Sequence, residues 1–207
     1  MATPRPHDAE LRRRLLAETG RIVSERGVSG LSLRALASAE STSTTAVYSL
    51  FGGKVGLLTA LFIESFESFG SAQNAAPRSG DWLADMLALG WAYWDWALEN
   101  SHRYQVMFGG SLAGVEIDPE LVAWSYRTLA PLSELVASGV EKGILAGDPA
   151  VIAQSIWSTV HGAVSLTLAG CMPFDPETQR SVYDQTIRNV IRGWTRTLPP
   201  VEGYAAG

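Results

Sequence analysis

Cysteine is nearly absent: Cys171 is the only one among 207 residues, so the chain cannot close a disulfide on itself. A lone thiol reads as a small buried core residue, and its isolation fits a reducing cytoplasm. Histidine is almost as scarce, with three, one of them at position 7. No set of His, Cys, Asp and Glu falls at metal-ligand spacing, no glycine-rich loop offers a phosphate cradle, and no base accompanies the cysteine. The sequence therefore names no catalytic residue, no metal ligand and no cofactor, and it does not read as an enzyme. The N-terminus, "MATPRPHDAELRRRLLAE", lacks the apolar run of a signal peptide and reads as a short disordered lead, residues 1–8, into a helix. Charged side chains are missing from 149–174, yet Gln154, Ser158, Thr159 and His161 interrupt that stretch. It is too polar for a lone lipid-exposed span, so it reads as a helix buried in protein, and no membrane partner is expected.

Alternating strand patterns are also close to absent, and apolar residues recur instead at three and four, which predicts an all-α fold of about nine helices. Hydrophobic residues make up 46% of the chain, enough for a sizeable core. Leu15, Thr19, Ile22, Val23 and Arg26 share one face of a first helix from about Asp8, stopped by Gly27. Ser32 is a suitable N-cap for "LRALASA", and Ser43 for "TTAVYSLF". "GGK" then breaks the chain before a fourth helix, about 54–72. Further helices are expected at about 81–99, around "YQVMFGG", from Pro119 to Lys142 with an interruption or kink at Pro131, from Pro149 to Cys171, and from Glu177 to Thr197.

The net charge of −5 taken alone argues against a polyanionic partner, but its distribution does not. Residues 1–58 hold eight Lys/Arg against five Asp/Glu, and the remainder eight against sixteen. The basic charge is concentrated in the front quarter. There, residues 32–51 offer two short helices joined by a tight turn at "AEST", with Leu36, Ala37, Val47 and Phe51 to fix them together. That is what a helix-turn-helix needs to lay its second helix in a DNA major groove.

Leu36-Ala37, Ser43, Val47-Tyr48, Phe51, Lys54 and Leu57-Leu58 stand at a spacing that resembles the TetR (tetracycline-repressor-like) family of transcriptional regulators. The resemblance is strong over 31–62. Glu40-Ser41 replaces the small residue and glycine usual in that turn, and Val55 the usual acidic residue. The division this implies is a helix-turn-helix domain, 1–53, and a helical ligand-binding and dimerisation domain, 54–207. Lys54, at a helix N-terminus, is expected to hold a phosphate together with free backbone N–H groups. The resemblance gives Tyr48 a hydroxyl contact to the DNA backbone. Thr44, Thr45 and Ser49 project toward base edges, and Ser32 and Ser43 flank them; Arg34 is the candidate for a guanine O6/N7 contact or for a plain phosphate contact. Arg12, Arg13 and Arg14 read as further backbone contacts or as an exposed helix face.

So few charges on the reading helix imply weak binding by one copy. A homodimer on a palindromic double-stranded operator, with half-sites about 34 Å apart or somewhat more, doubles every contact. Ile156, Val160 and Val164 on one helix, with Tyr183, Ile187, Val190 and Trp194 on the last, form the expected dimer face, where the resemblance also places it. Trp157-x-x-x-His161-Gly162 is similar to a Trp-His-Gly signature of one TetR subgroup. His161 reads either as a core histidine bonded to a neighbour or as a ligand contact. Phe62, Phe66, Trp91, Trp94, Met107, Phe108, Trp124 and Trp157 are candidates to line a pocket with it for an apolar or aromatic small molecule. The expected function is a ligand-responsive regulator, a repressor released by its effector. The alternative, motivated by Glu40, Ser41 and the uncharged third helix, is a helical small-molecule-binding or enzymatic protein whose helix-turn-helix no longer binds DNA.

Overall fold

The computed structural model describes residues 6–110 and 118–195, and among them every regular element is helical. The α-helices are α1 (Pro6–Arg26), α2 (Leu33–Ala39), α3 (Thr44–Phe51), α4 (Lys54–Asn74), α5 (Trp82–Glu99), α6 (Ser101–Phe108), α7 (Pro119–Ser125), α8 (Ala130–Glu141), α9 (Pro149–Leu168) and α10 (Pro176–Gly193). Two 3₁₀ turns, Val28–Gly30 and Tyr126–Leu129, connect α1 to α2 and α7 to α8. The all-α expectation holds. The helix expected from Pro119 to Lys142 is two helices, because Pro131 lacks an N–H and so opens α8 in its first turn instead of kinking a longer helix. Pro6 is tolerated in the first turn of α1 for the same reason, so the helix begins inside the expected lead 1–8, of which residues 1–5 lie outside the described ones. Among the described residues no single helix is long and apolar enough to cross a membrane.

By packing, the described residues fall into two compact units, drawn from Met1–Ala72 with Trp96–Thr128 and from Gln73–Asp95 with Leu129–Gly207. The first is built on the stripe of α1. Leu11, Leu15, Leu16 and Val23 are buried against Leu36 and Ala37 of α2, Val47 of α3, and Leu57, Leu58 and Leu61 of α4. Thr19 is buried with them and returns its hydroxyl to the carbonyl of Leu15 at 2.6 Å, which satisfies the one buried polar side chain of α1 among the described residues, while Arg26, expected on the same face, is exposed. Gly56 allows the first turn of α4 to press onto the end of α3, since a β-carbon there would lie 1.8 Å from the carbonyl oxygen of Phe51.

The second unit is built on α9 against α8 and α10. Asp148 and Asp175 cap α9 and α10 by accepting from the N–H groups of Ala150 and Val151, and of Glu177 and Thr178. Ile152, Ile156, Val160 and Val164 form the buried stripe of α9, and Tyr183, Ile187 and Ile191 that of α10. The Trp82 indole donates to the carbonyl of Leu135 at 2.7 Å, and its ring occupies the space beside Gly139 that a side chain would fill. Cys171 corrects an expectation. α9 ends at Leu168 and the chain turns through Gly170 in the left-handed region, which leaves the thiol exposed beyond the helix instead of in the core.

Candidate nucleic-acid interface

Two short helices hold a fixed angle only if both ends and their shared face are secured. Ser32 and Ser43 secure the N-termini: their hydroxyl oxygens accept from the N–H groups of Ala35 and Ala46, at 3.4 and 3.1 Å. Leu36, Ala37 and Val47 fill the shared face and are almost wholly buried.

The turn between them is a Schellman motif. The N–H of Thr42 returns to the carbonyl of Ala37 at 2.9 Å, and the N–H of Ser41 to that of Ser38 at 3.2 Å. Ser41 adopts φ 53°, and among the described residues it is the one non-glycine with a positive φ. The departure at this position is thus accommodated with the usual turn shape, at a strain of about 1 kcal/mol for a side chain held in the left-handed region. Glu40 turns away from the outer face of α3. Its carboxylate lies 3.5 Å from the Arg14 guanidinium, which also donates to the Glu40 carbonyl at 3.4 Å. No local pattern connects Arg14 to this site, because 26 residues separate it from Glu40.

On α3 the inward residues are Val47, Ala46, Leu50 and Phe51, while Thr44, Thr45, Tyr48 and Ser49 are exposed. Tyr48 is 57% exposed, its ring edge passing near Gly53. Arg34, on the exposed side of α2, joins them. Seven of the eight residues expected to face DNA are therefore exposed on neighbouring turns of α2 and α3.

Lys54 is the exception and a correction. Its ammonium points back into the unit and donates to the carbonyls of Val28 at 2.8 Å and Leu31 at 2.9 Å. These oxygens flank the 3₁₀ turn before α2, so Lys54 ties the start of α4 to the entry of the helix-turn-helix. Two neighbours of Arg14 on α1 are engaged as well. Arg12 pairs with Glu64 and covers the ring of Phe51, 5.6 Å from its centroid, and Arg13 pairs with Glu10. The expected phosphate contacts of Arg12, Arg13 and Arg14 thus compete with intrachain carboxylates.

A sequence family described as tetracyclin repressor-like, C-terminal domain, matches residues 86–190. The chain belongs to the TetR family. It is 24% identical to the HTH-type transcriptional regulator Rv1816 of Mycobacterium tuberculosis over 198 residues, 81% of this chain and 85% of that one. A solved protein of unknown function from Rhodococcus sp. RHA1 is 28% identical, with a TM-score of 0.75 over 90% of this chain and 96% of that chain. NalD of Pseudomonas aeruginosa, the secondary repressor of the MexAB-OprM multidrug efflux pump, is 19% identical, with a TM-score of 0.67 over 94% and 100%, a likeness of fold. Membership makes the chain an all-helical, DNA-binding transcriptional regulator of the TetR type.

The residues expected to line an effector pocket in this TetR protein are drawn from both units. In the first unit Phe62 and Phe66 meet at 4.7 Å and Phe66 and Phe108 at 5.9 Å, within the core, with Met107 partly buried against it. In the second unit Trp94 and Trp91 pack on Tyr183 at 4.3 and 5.2 Å, and Arg180 lies 4.4 Å over the ring of Trp91. Also in the second unit, Trp157 and His161 stack at 5.4 Å. His161 Nδ1 shares a 3.0 Å hydrogen bond with the Tyr93 hydroxyl, and burial holds the imidazole below its ordinary pKa. That bond is the bonded-histidine reading of His161, and Tyr93 is a partner no local pattern disclosed. The side chain of Trp124 lies outside the described residues.

The dimer face expected from apolar stripes is also corrected. Ile156, Val160, Val164, Tyr183 and Ile187 are buried within the single chain, and Val190 and Trp194 are half-buried. α9 and α10 pack these stripes against each other and against the rest of the unit, so the stripes are filled within one chain.

Proposed function

We propose that this protein is a ligand-responsive repressor that binds a palindromic operator as a homodimer in the cytoplasm and releases it when a small molecule binds the helical body. The observation that carries the reading is the exposed hydroxyl face of α3, Thr44, Thr45, Tyr48 and Ser49, held at a fixed angle to Arg34 by capped helices and a formed turn. Residues 1–53 serve as the DNA-binding domain and 54–207 as the ligand-binding and dimerisation domain. Lys54 acts at their junction as a clasp.

The dimer forms through the outward faces of α9 and α10. Val151 and Leu166 are 55% and 51% exposed there, and nothing lies within 4 Å of where a β-carbon on Gly162 would sit, so a second helix can approach closely. An apolar or aromatic effector suits the half-buried rings Trp91, Trp157 and His161 of the second unit. Trp157, His161 and Gly162 also support membership of the Trp-His-Gly subgroup. An effector that prefers the DNA-incompetent state 100-fold supplies about 2.7 kcal/mol, enough to empty a moderately occupied operator.

The test is binding of the purified protein to duplex DNA from upstream of its own coding region, titrated with salt. A linear fall of log affinity with log salt is expected. Absence of salt-dependent binding would refute the reading in favour of a helical ligand-binding protein without DNA function.

A further inference from the structure

Given that α2 and α3 read an operator, we propose that each half-site consists of a short thymine-rich run beside a single G·C pair, with thymines read through their methyl groups by Thr44 and Thr45 and the guanine by Arg34. This preference rests on the operator-binding function and deepens it.

The chemical inventory of the α2–α3 surface limits what it can discriminate. A base edge is read strongly by a bidentate partner: a guanidinium for guanine O6 and N7, an amide for adenine N6 and N7, or a carboxylate accepting from cytosine N4. Residues 32–54 contain no Asn and no Gln, so adenine has no bidentate reader there. Their one carboxylate, Glu40, is turned to Arg14 and is not offered to cytosine. Their one guanidinium is Arg34, which is exposed. A single purine–pyrimidine pair per half-site can therefore be read by paired hydrogen bonds.

The remaining outward polar side chains are hydroxyls, each both donor and acceptor and so tolerant of any base edge. Ser43 and Ser32 are further limited because their oxygens already cap helices. What distinguishes Thr44 and Thr45 from the serines is a methyl group, and the matching feature in the major groove is the C5 methyl of thymine. Both threonines stand in the first turn of α3, the end of a recognition helix that contacts base edges.

The experiment selects bound duplexes from random DNA with the full-length protein and then measures affinity for the selected site. In that site each thymine is replaced by deoxyuridine, which removes the methyl group alone. A thymine-rich run with one invariant G·C pair per half-site is expected. Deoxyuridine at a contacted position should weaken binding roughly 4-fold, the equivalent of about 0.8 kcal/mol for burying one methyl-sized group. Thr44→Ser or Thr45→Ser should lose that sensitivity while binding the deoxyuridine site as the parent does. Arg34→Ala should reduce the preference for the G·C pair by roughly 5- to 150-fold. Selection of G·C-rich sites, indifference to deoxyuridine at every position, or an equal loss on all sequences for Arg34→Ala would each overturn the inference and leave DNA binding intact. Failure to retain any duplex would overturn the function and the inference together.

Discussion

Replacing Lys54 by Met keeps the aliphatic stem and removes the ammonium, so it separates two roles that make opposite predictions. In the structure the ammonium donates to the carbonyls of Val28 and Leu31 at 2.8 and 2.9 Å. A hydrogen bond from a charged donor contributes about 1.5–3 kcal/mol when its loss leaves the partner unsatisfied. Lys54 is only half-buried, so water can reach the released carbonyls, and the pair together should contribute about 2 kcal/mol. For a chain of this size that corresponds to a fall in Tm of roughly 4–8 °C, measured at fixed protein concentration because the proposed dimerisation would make Tm concentration-dependent. The second assay is the salt dependence of operator binding. If Lys54 held a phosphate, its loss from both copies would flatten the log–log slope by about 1.8. The clasp predicts instead an unchanged slope, with affinity lowered alike on every sequence as the junction loosens. A flattened slope with an unchanged Tm would refute the clasp and restore the phosphate contact.

Ser41→Gly should raise stability by up to about 1 kcal/mol, since the turn already has the shape glycine prefers, while Ser41→Val should lower it; thermal unfolding decides, and no gain for glycine would mean that φ 53° stores no strain. His161 is held below the ordinary value of 6.5 by burial, so the unfolded chain binds more protons than the folded one below that pH. Stability should therefore be full above about 6.5 and fall as pH drops through the lowered folded value. Urea titrations of His161→Gln should lack that fall below about pH 6.5, and an unchanged profile would assign it to other groups. Leu166→Arg should split the dimer in sedimentation while leaving the monomer folded. Ile156→Ala should lower stability by about 2–5 kcal/mol as a core cavity, the two outcomes exchanged if the apolar stripe were the interface.

Local chemistry was the legible part of this chain. Ser32 and Ser43 announce their helices because a cap acts within three residues, and Pro131 marks a helix start for an equally local reason. Apolar periodicity likewise placed Ile156, Val160 and Val164 on one face. It could not say against what, since an intrachain neighbour and a symmetry mate demand the same stripe. The direction of Lys54 was hidden in the same way. A lysine at a helix start is compatible with a phosphate outside or a carbonyl inside, and the deciding oxygens belong to Val28 and Leu31, set beside it only by the fold. Tyr93 and His161 are 68 residues apart, and Arg14 and Glu40 are 26. Such pairs leave no spacing signal.

The pairing of Arg14 with Glu40 fixes what can be transplanted. A chimera that receives only α2 and α3 imports the Glu40 carboxylate without its counter-ion, set beside the reading face with nothing to draw it from the phosphates. It also imports the α2 entry without the ammonium that ties it to α4. The smallest exchangeable cassette of sequence preference in this protein therefore begins ahead of Arg14 and ends beyond Lys54. On the proposed reading, a change of operator is made by redrawing Arg34, Thr44 and Thr45 inside that cassette rather than by moving the two helices alone.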